Sequence, residues 1–174
     1  MQRLDCAKMA DGGSLYITIT GGGCDFLGEF TRYGGSSKFF IGAEVPYSET
    51  LSRKIIGEEK CTSKESAILL ANHGRQFADI GFGVTSSLFS DGQRKNRVNQ
   101  SFIAINNRDT VTVSHLVYKL FDDDDRVLEE STLSDVCIAL LAHTYGLEVK
   151  RYWLAGIRCD LESYKLPKEL EELL

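Results

Sequence analysis

From residue 14 onward the chain keeps changing its period. Stretches in which apolar and polar residues alternate trade places with stretches whose apolar residues recur at helical spacing, and this alternation limits the possible folds more than any other feature. "SLYITI" (14–19) reads as a strand that stops at three glycines and Cys24. "DFLGEFTRY" then sets Phe26, Leu27 and Phe30 at helical spacing. "KFFIGAEV" (38–45) is a second strand, so nearly apolar throughout that a central place in a sheet is expected. Ser48 can cap a short helix in which Leu51 and Ile55 share a face and which Gly57 can end.

"TSKE" (62–65) has capping-box spacing and opens a helix carrying Ala67, Leu70 and Phe77, after which "ADIGFGVTSS" returns as a strand. "NQSFIAI" (99–105) and "TVTVSHLVYKL" (110–120), joined by "NNRD", predict an antiparallel hairpin. After "FDDDDR" a long helix presents Leu133, Val136, Cys137, Leu140, Leu141 and Thr144 as one stripe. The expected fold is α/β, a three-layer α/β/α sandwich with a mixed central sheet.

A chain of 174 residues with 43% apolar content can bury one sizeable core. The body is expected over 1–146, with 147–174 as an extension packed on the same domain: a strand, then a helix opened by Pro167. That extension carries Val149, Tyr152, Trp153, Leu154 and Ile157, with Trp153 as its packing anchor.

Charge narrows the function classes. A net charge of −5 argues against nucleic-acid binding, which needs clustered Lys and Arg. The basic cluster "DGQRKNR" (91–97) reads as a solvated loop. No apolar run reaches the roughly 20 residues of a membrane span, and the first residues lack a secretory apolar centre, so a cytoplasmic protein without a membrane partner is expected. The five cysteines, Cys6, Cys24, Cys61, Cys137 and Cys159, are far apart and without metal-ligand spacing, and read as free thiols. His73, His115 and His143 read as structural or surface residues, and the aspartates at 122–125 as a solvated helix cap, so neither a metal nor a cofactor is expected.

The run "ITITGGGC" (17–24) is the segment that asks for a function. Its glycines allow either a tight turn or a backbone rim whose N–H groups meet a phosphate or carboxylate. No Gly-Lys-Ser/Thr follows to decide between them.

The order of these pieces resembles the C-terminal domain of the competence/damage-inducible CinA family. The family forms are roughly "AESCTGG", "GSS", "YTNEAK", "LG", "VSEE", "ADIGLAVTG" and "FxGDR". Against them stand "YITITGG" (16–22), "GSS" (35–37), "YSETLS" (47–52), "IG" (56–57), "TSKE", "ADIGFGVTS" (78–86) and "FDDDDR" (121–126), a likeness covering roughly residues 12 to 146. The resemblance implies nicotinamide mononucleotide deamidation, in which a serine attacks the carboxamide carbon and ammonia leaves, with a tyrosine and a lysine assisting. It also implies a small-molecule nucleotide as ligand and a homo-oligomer.

Carried over residue by residue, the nucleophile falls on Thr18, the preceding glutamate on Ile17 and the lysine on Ser52. Tyr47 matches the assisting tyrosine, and Thr20, Gly21, Gly22 and Thr85 match substrate-binding positions. A threonine methyl crowds the path of attack, and Lys54, two positions along a helix, faces elsewhere. A general base contributes about 10² to 10⁴-fold. The expectation is therefore a degenerate amidase site that binds or scaffolds, with an active amidohydrolase of rearranged site as the alternative.

Overall fold

The computed structural model describes residues 6–32, 34–91, 97–118, 125–147 and 157–165, the last as backbone. The elements run α1 (Cys6–Met9), β1 (Leu15–Thr20), α2 (Leu27–Arg32), β2 (Phe40–Glu44), α3 (Glu49–Ile56), α4 (Lys64–Arg75), β3 (Ile80–Ser87), β4 (Gln100–Asn106), β5 (Thr110–Tyr118), α5 (Arg126–Thr144) and β6 (Ile157–Lys165). The strands form a six-stranded sheet in the order β2-β1-β3-β4-β5-β6. β1 is parallel to both β2 and β3, and the remaining pairs are antiparallel, so the sheet is mixed.

Strand alternation divides the core between two faces. Leu15, Ile17 and Ile19 of β1, Phe82 and Val84 of β3 and Ile103 and Ile105 of β4 share one cluster with Phe26, Phe30 and the α5 residues Leu133, Cys137 and Leu141. This cluster holds most of the large buried apolar side chains, each contributing about 1.5–3 kcal/mol on burial, and is the main source of stability. The other face is thin. Ala67 and Ala71 of α4 meet Ala104, Val111 and Val113, all small or β-branched. There α4 comes down almost onto the backbone of β3: a Cβ placed on Gly81 or Gly83 would overlap the main chain of Ala71 or Ala67.

Local signals account for the helix ends. The Ser48 side chain accepts from the Leu51 amide and opens α3, and Gly57, at φ 61°, closes it. Asp125 caps α5 by accepting from the amides of Val127 and Leu128. The cap of α4 is Ser63 rather than Thr62, because the Ser63 hydroxyl is the one that reaches the Ser66 amide, at 3.1 Å. Phe77 lies past the end of α4, half exposed, with its ring 4.7 Å from that of Tyr16. The α5 stripe buries Leu133, Val136, Cys137 and Leu141 as expected, with Ser134, Ile138 and Ala142 added.

One expectation is overturned. β2 is an edge strand, not a central one. Its apolar content is divided: Phe39 and Phe40 pack near the Phe30 ring, whereas Ile41 and Val45 remain 56% and 40% exposed. Composition cannot tell a strand buried on both faces from one whose apolar residues are split between core and surface. The hairpin of β4 and β5 is present, and β6, within the expected extension, pairs antiparallel with β5. Trp153 and Pro167 lie outside the described residues.

At the pole where β1 and β3 begin, the Asp79 carboxylate accepts from the hydroxyl and amide of Ser14, at 2.7 and 3.1 Å. These hydrogen bonds, with the Arg108 guanidinium beside it, hold the Asp79 carboxyl below its usual range. A carboxyl lowered on folding stabilises fully above its unfolded pKa, about 3.9, and that contribution is lost as pH falls through the folded value. Asp79→Asn is expected to flatten the acid limb of a stability–pH curve below about pH 4, measured by urea unfolding.

Two glycine substitutions test the close layer. Gly83→Ala is expected to destabilise by about 1–3 kcal/mol through overpacking against α4. Gly28→Ala in α2, with nothing within 4 Å of the added methyl, is expected to be neutral or stabilising by up to about 1 kcal/mol. Equal effects in chemical denaturation would contradict the close contact.

Candidate functional site

β1 and β3 end side by side, with Thr20 opposite Thr85. One step back, Thr18 lies between Gly83 of β3 and Glu44 of β2. In-register neighbours share a face, so Thr18, Thr20, Thr85 and Glu44 all sit on the α4 side of the sheet.

Thr18 has no exposed surface, and its Oγ1 donates to Glu44 Oε1 at 3.3 Å. The same carboxylate oxygen lies 2.5 Å from Nε2 of His73 on α4. Hydroxyl, carboxylate and imidazole thus form one chain across β1, β2 and α4. Thr85 is likewise buried, donating its hydroxyl to the Cys61 carbonyl ahead of α4. Tyr16 flanks Glu44, and burial together with that carboxylate raises its phenol above the ordinary value.

Past Thr20 the chain turns on glycine for stated reasons. Gly21 has φ 90°, and a Cβ there would run into the Ser86 carbonyl. Gly23 has φ 93°, and its amide and that of Cys24 point at the Glu130 carboxylate of α5. The Gly23 N–H lies 2.8 and 2.7 Å from the two Glu130 oxygens, the Cys24 N–H 2.6 Å from Oε1, and the Asp25 N–H follows at 3.3 Å. The glycine turn therefore does cradle a carboxylate, and that carboxylate belongs to the chain itself.

The first two turns of α5 hold the rest of this pole together. Arg126 donates to the carbonyl oxygens of Phe89 and Gly21, at 2.9 and 3.2 Å, and to the Tyr47 hydroxyl oxygen at 3.3 Å. Glu129 accepts from the Phe89 amide at 2.6 Å and from Asn99 Nδ2 at 2.7 Å. Among the described residues Arg126 forms no ion pair with a carboxylate.

The expected site residues fall into separate groups. Thr18, Thr20 and Thr85 are buried together under α4, whereas Tyr47 is 62% exposed beside Arg126. Ser52 is buried and donates its hydroxyl to the Glu49 carbonyl one turn earlier in α3, at 3.1 Å. No hydrogen bond among the described residues joins Ser52 or Tyr47 to Thr18. Gly21 lends its carbonyl to Arg126, and Gly22 packs against Leu88 and Glu130. Burial first, and then Glu130 and Asp25, raise the Cys24 thiol above the ordinary value, which disfavours the nucleophilic thiolate.

Sequence reasoning passed over Glu44 and Glu130, read His73 as a structural or surface residue, and quoted Arg126 only as part of a motif. None carries a local signal. Glu44 ends a strand, and the partners of His73 and Glu130 lie far from them in sequence. His115 stacks on Phe102, with ring centroids 4.2 Å apart, and His143 is exposed.

No family model and no curated protein matches the sequence. Solved structures do match in fold. A competence or damage-inducible protein from Enterobacter asburiae is 18% identical with a TM-score of 0.64, over 79% of this chain and 92% of that one. A CinA superfamily protein from Klebsiella pneumoniae is 14% identical with a TM-score of 0.65, over 80% and 91%. A competence/damage-inducible protein from Agrobacterium tumefaciens is 16% identical with a TM-score of 0.59, over 82% and 97%. The chain shares the fold of these proteins.

Glu130 tests the internal cradle. Glu130→Ala is expected to cost about 1–3 kcal/mol for each buried amide left unpaired, and Glu130→Gln, which keeps one acceptor, to cost less. Urea unfolding of both variants checks the order, and equal stability of Glu130→Ala and wild type would rule the cradle out.

Proposed function

We propose that this chain is a divergent CinA-type protein whose nicotinamide-nucleotide amidase site has lost its chemistry, and that it binds a small nucleotide or serves as a scaffold. The observation that carries this reading is the condition of Thr18. Attack on a carboxamide requires the oxygen to come within about 3–3.5 Å of the carbon along an open path. Thr18 offers no surface to solvent and gives its hydroxyl hydrogen to Glu44.

The position matched to the family lysine supports the same reading. Ser52 supplies no amine, and its hydroxyl is spent within its own helix. A retained ligand function is supported by Arg126 and Tyr47. An exposed phenol beside a guanidinium without a carboxylate partner among the described residues suits the phosphate of a nucleotide. On this reading the protein is a cytoplasmic homo-oligomer that uses no cofactor and engages neither nucleic acid nor membrane.

A second reading, an active amidohydrolase with a rearranged site, is favoured by one contact. Glu44 is already hydrogen-bonded to the Thr18 hydroxyl, where a carboxylate could take its proton once a movement of α4 opened the path.

Two measurements separate the readings. Purified protein is expected to release no ammonia above background from nicotinamide mononucleotide or a panel of nucleotide amides. Calorimetric binding of the mononucleotide is expected to weaken at least about tenfold in Arg126→Ala, the loss of one charge-assisted contact. Thr18→Ser with Ser52→Lys is expected to restore some hydrolysis if those two side chains are all that was lost. Wild-type turnover abolished by both Thr18→Ala and Glu44→Gln would establish the second reading instead.

A further inference from the structure

At the opposite pole from Thr20 and Thr85, where β1 and β3 begin and the β4–β5 hairpin turns, the surface opens into a cavity of about 400 Å³. Gly12, Gly13, Asp79, Asn107, Arg108 and Thr144 line it. None of them belongs to the site described above.

One residue of the hairpin turn stands against its local preference. Asn107 and Thr110 close it: the Asn107 amide donates to the Thr110 carbonyl, and Asn107 Oδ1 accepts from the Thr110 amide and hydroxyl. Between them Arg108 takes φ 77°, and among the described residues no other non-glycine residue has positive φ. Glycine, asparagine or aspartate would occupy such a position with less strain. An arginine held in an unfavourable backbone conformation at the rim of a cavity calls for a reason beyond the turn.

The polar groups there are unbalanced toward donors. Arg108 spends Nη2 on Asp79, and an ion pair with both partners this exposed, 65% and 40%, contributes little to stability. Its backbone amide donates to Asn106 Oδ1 at 3.2 Å, while its other guanidinium N–H groups and Asn107 Nδ2 have no partner among the described residues. Asp79 has no such surplus, since it already accepts from Ser14 twice and from Arg108. Behind them Arg75 gives one N–H to the Ala78 carbonyl, while its buried Nε is unpaired. Burial, and then the charge of Arg108, lower the Arg75 guanidinium below its ordinary value. Two guanidiniums therefore lie in the field of one carboxylate, which is in contact with Arg108.

Both α4 and α5 end at this pole, and bare helix C-termini would oppose an anion. They are not bare. The amides of Tyr145, Leu147 and Gly146 bond the carbonyls of Leu141, Ala142 and His143, and those of Gln76 and Phe77 bond His73 and Gly74. Asp11 and Asp109 flank the cavity in sequence but are exposed, where solvent and salt screen them.

We propose that this cavity is a second binding site, taking the phosphate or carboxylate group of a small molecule on Arg108 and Asn107 with Arg75 adding positive field from behind. The site accounts for the arginine in a glycine-like turn position: the turn aims its side chain across the cavity mouth. Nothing in this inference depends on whether the Thr18 site is active.

Amide NMR titration with inorganic phosphate, and separately with malonate, tests it at ionic strength fixed with chloride. Saturable shifts are expected at Gly12, Gly13 and Asn107, and the anion giving the tighter curve identifies the ligand group. Arg108→Gly is expected to weaken that curve at least tenfold while leaving the melting temperature equal or higher, because glycine relieves the turn. Arg108→Gln, which keeps a side chain in the same turn, is expected to weaken it as well. The proposal falls if neither anion gives saturable shifts at these residues, or if both variants titrate within twofold of wild type.

Discussion

The seating of α4 directly on β3 is the contact from which most of this molecule follows. A helix resting on a sheet usually stands off by the depth of its side chains, but here Gly81 and Gly83 offer none, and Ala67 and Ala71 meet the strand backbone. The close approach makes the α4 layer thin and leaves apolar burial mainly to the α5 side. It also brings His73 of α4 within reach of Glu44 and helps close the space above Thr18. Fold and site are therefore not separable on this face, because the packing that builds the layer also shuts the hydroxyl in.

α5 plays the complementary part at the ends of the parallel strands. Three residues of its first two turns, Arg126, Glu129 and Glu130, tie down the turn after β1, the segment after β3, Tyr47 and the start of β4. A carboxylate within a ring of amides is a strong arrangement, since charge-assisted hydrogen bonds of about 2.7–2.9 Å are roughly twice as strong as neutral ones. Because Glu130 occupies the amides of Gly23 and Cys24, an incoming anion cannot use them without displacing a side chain of the protein. Any ligand on this pole must rely on Arg126, Tyr47 and the exposed rim.

The architecture was legible because its signals are local. Ser48, Gly57 and Asp125 act on residues beside them in sequence, and the period-two runs at β1, β3, β4 and β5 sort their side chains to two faces without outside help. The position of β2 was not legible, because edge and centre differ in which neighbour is present. The same limit governs the site. Thr18, Thr20 and Thr85 could be aligned by motif order, but the Thr18–Glu44 contact depends on the parallel register of β1 and β2 and the His73–Glu44 contact on the docking of α4. Glycines 21 to 23 were marked as a turn or a rim, and only the 107-residue separation between Gly23 and Glu130 shows why the sequence left both open.

The way Thr18, Glu44 and His73 satisfy one another bears on what the site can be. A buried hydroxyl needs an acceptor, and a half-buried carboxylate needs donors. Glu44 is approached from each side, by the Thr18 hydroxyl on its own sheet and by the His73 imidazole of α4. Where the family resemblance puts a lysine, at Ser52, this chain has a hydroxyl turned back onto its helix. The donors around Glu44 are thus supplied by a different element, α4, which is fixed by the glycines of β3. A nucleophile must be held with an open face and a base that can take its proton during attack. A hydroxyl enclosed on all sides, whose acceptor is also bonded to an imidazole, meets the needs of a closed structure first. Neither Thr18→Ser nor Ser52→Lys opens that enclosure; the pair restores a hydroxyl without its methyl and an amine to assist it, and hydrolysis then also requires α4 to give way.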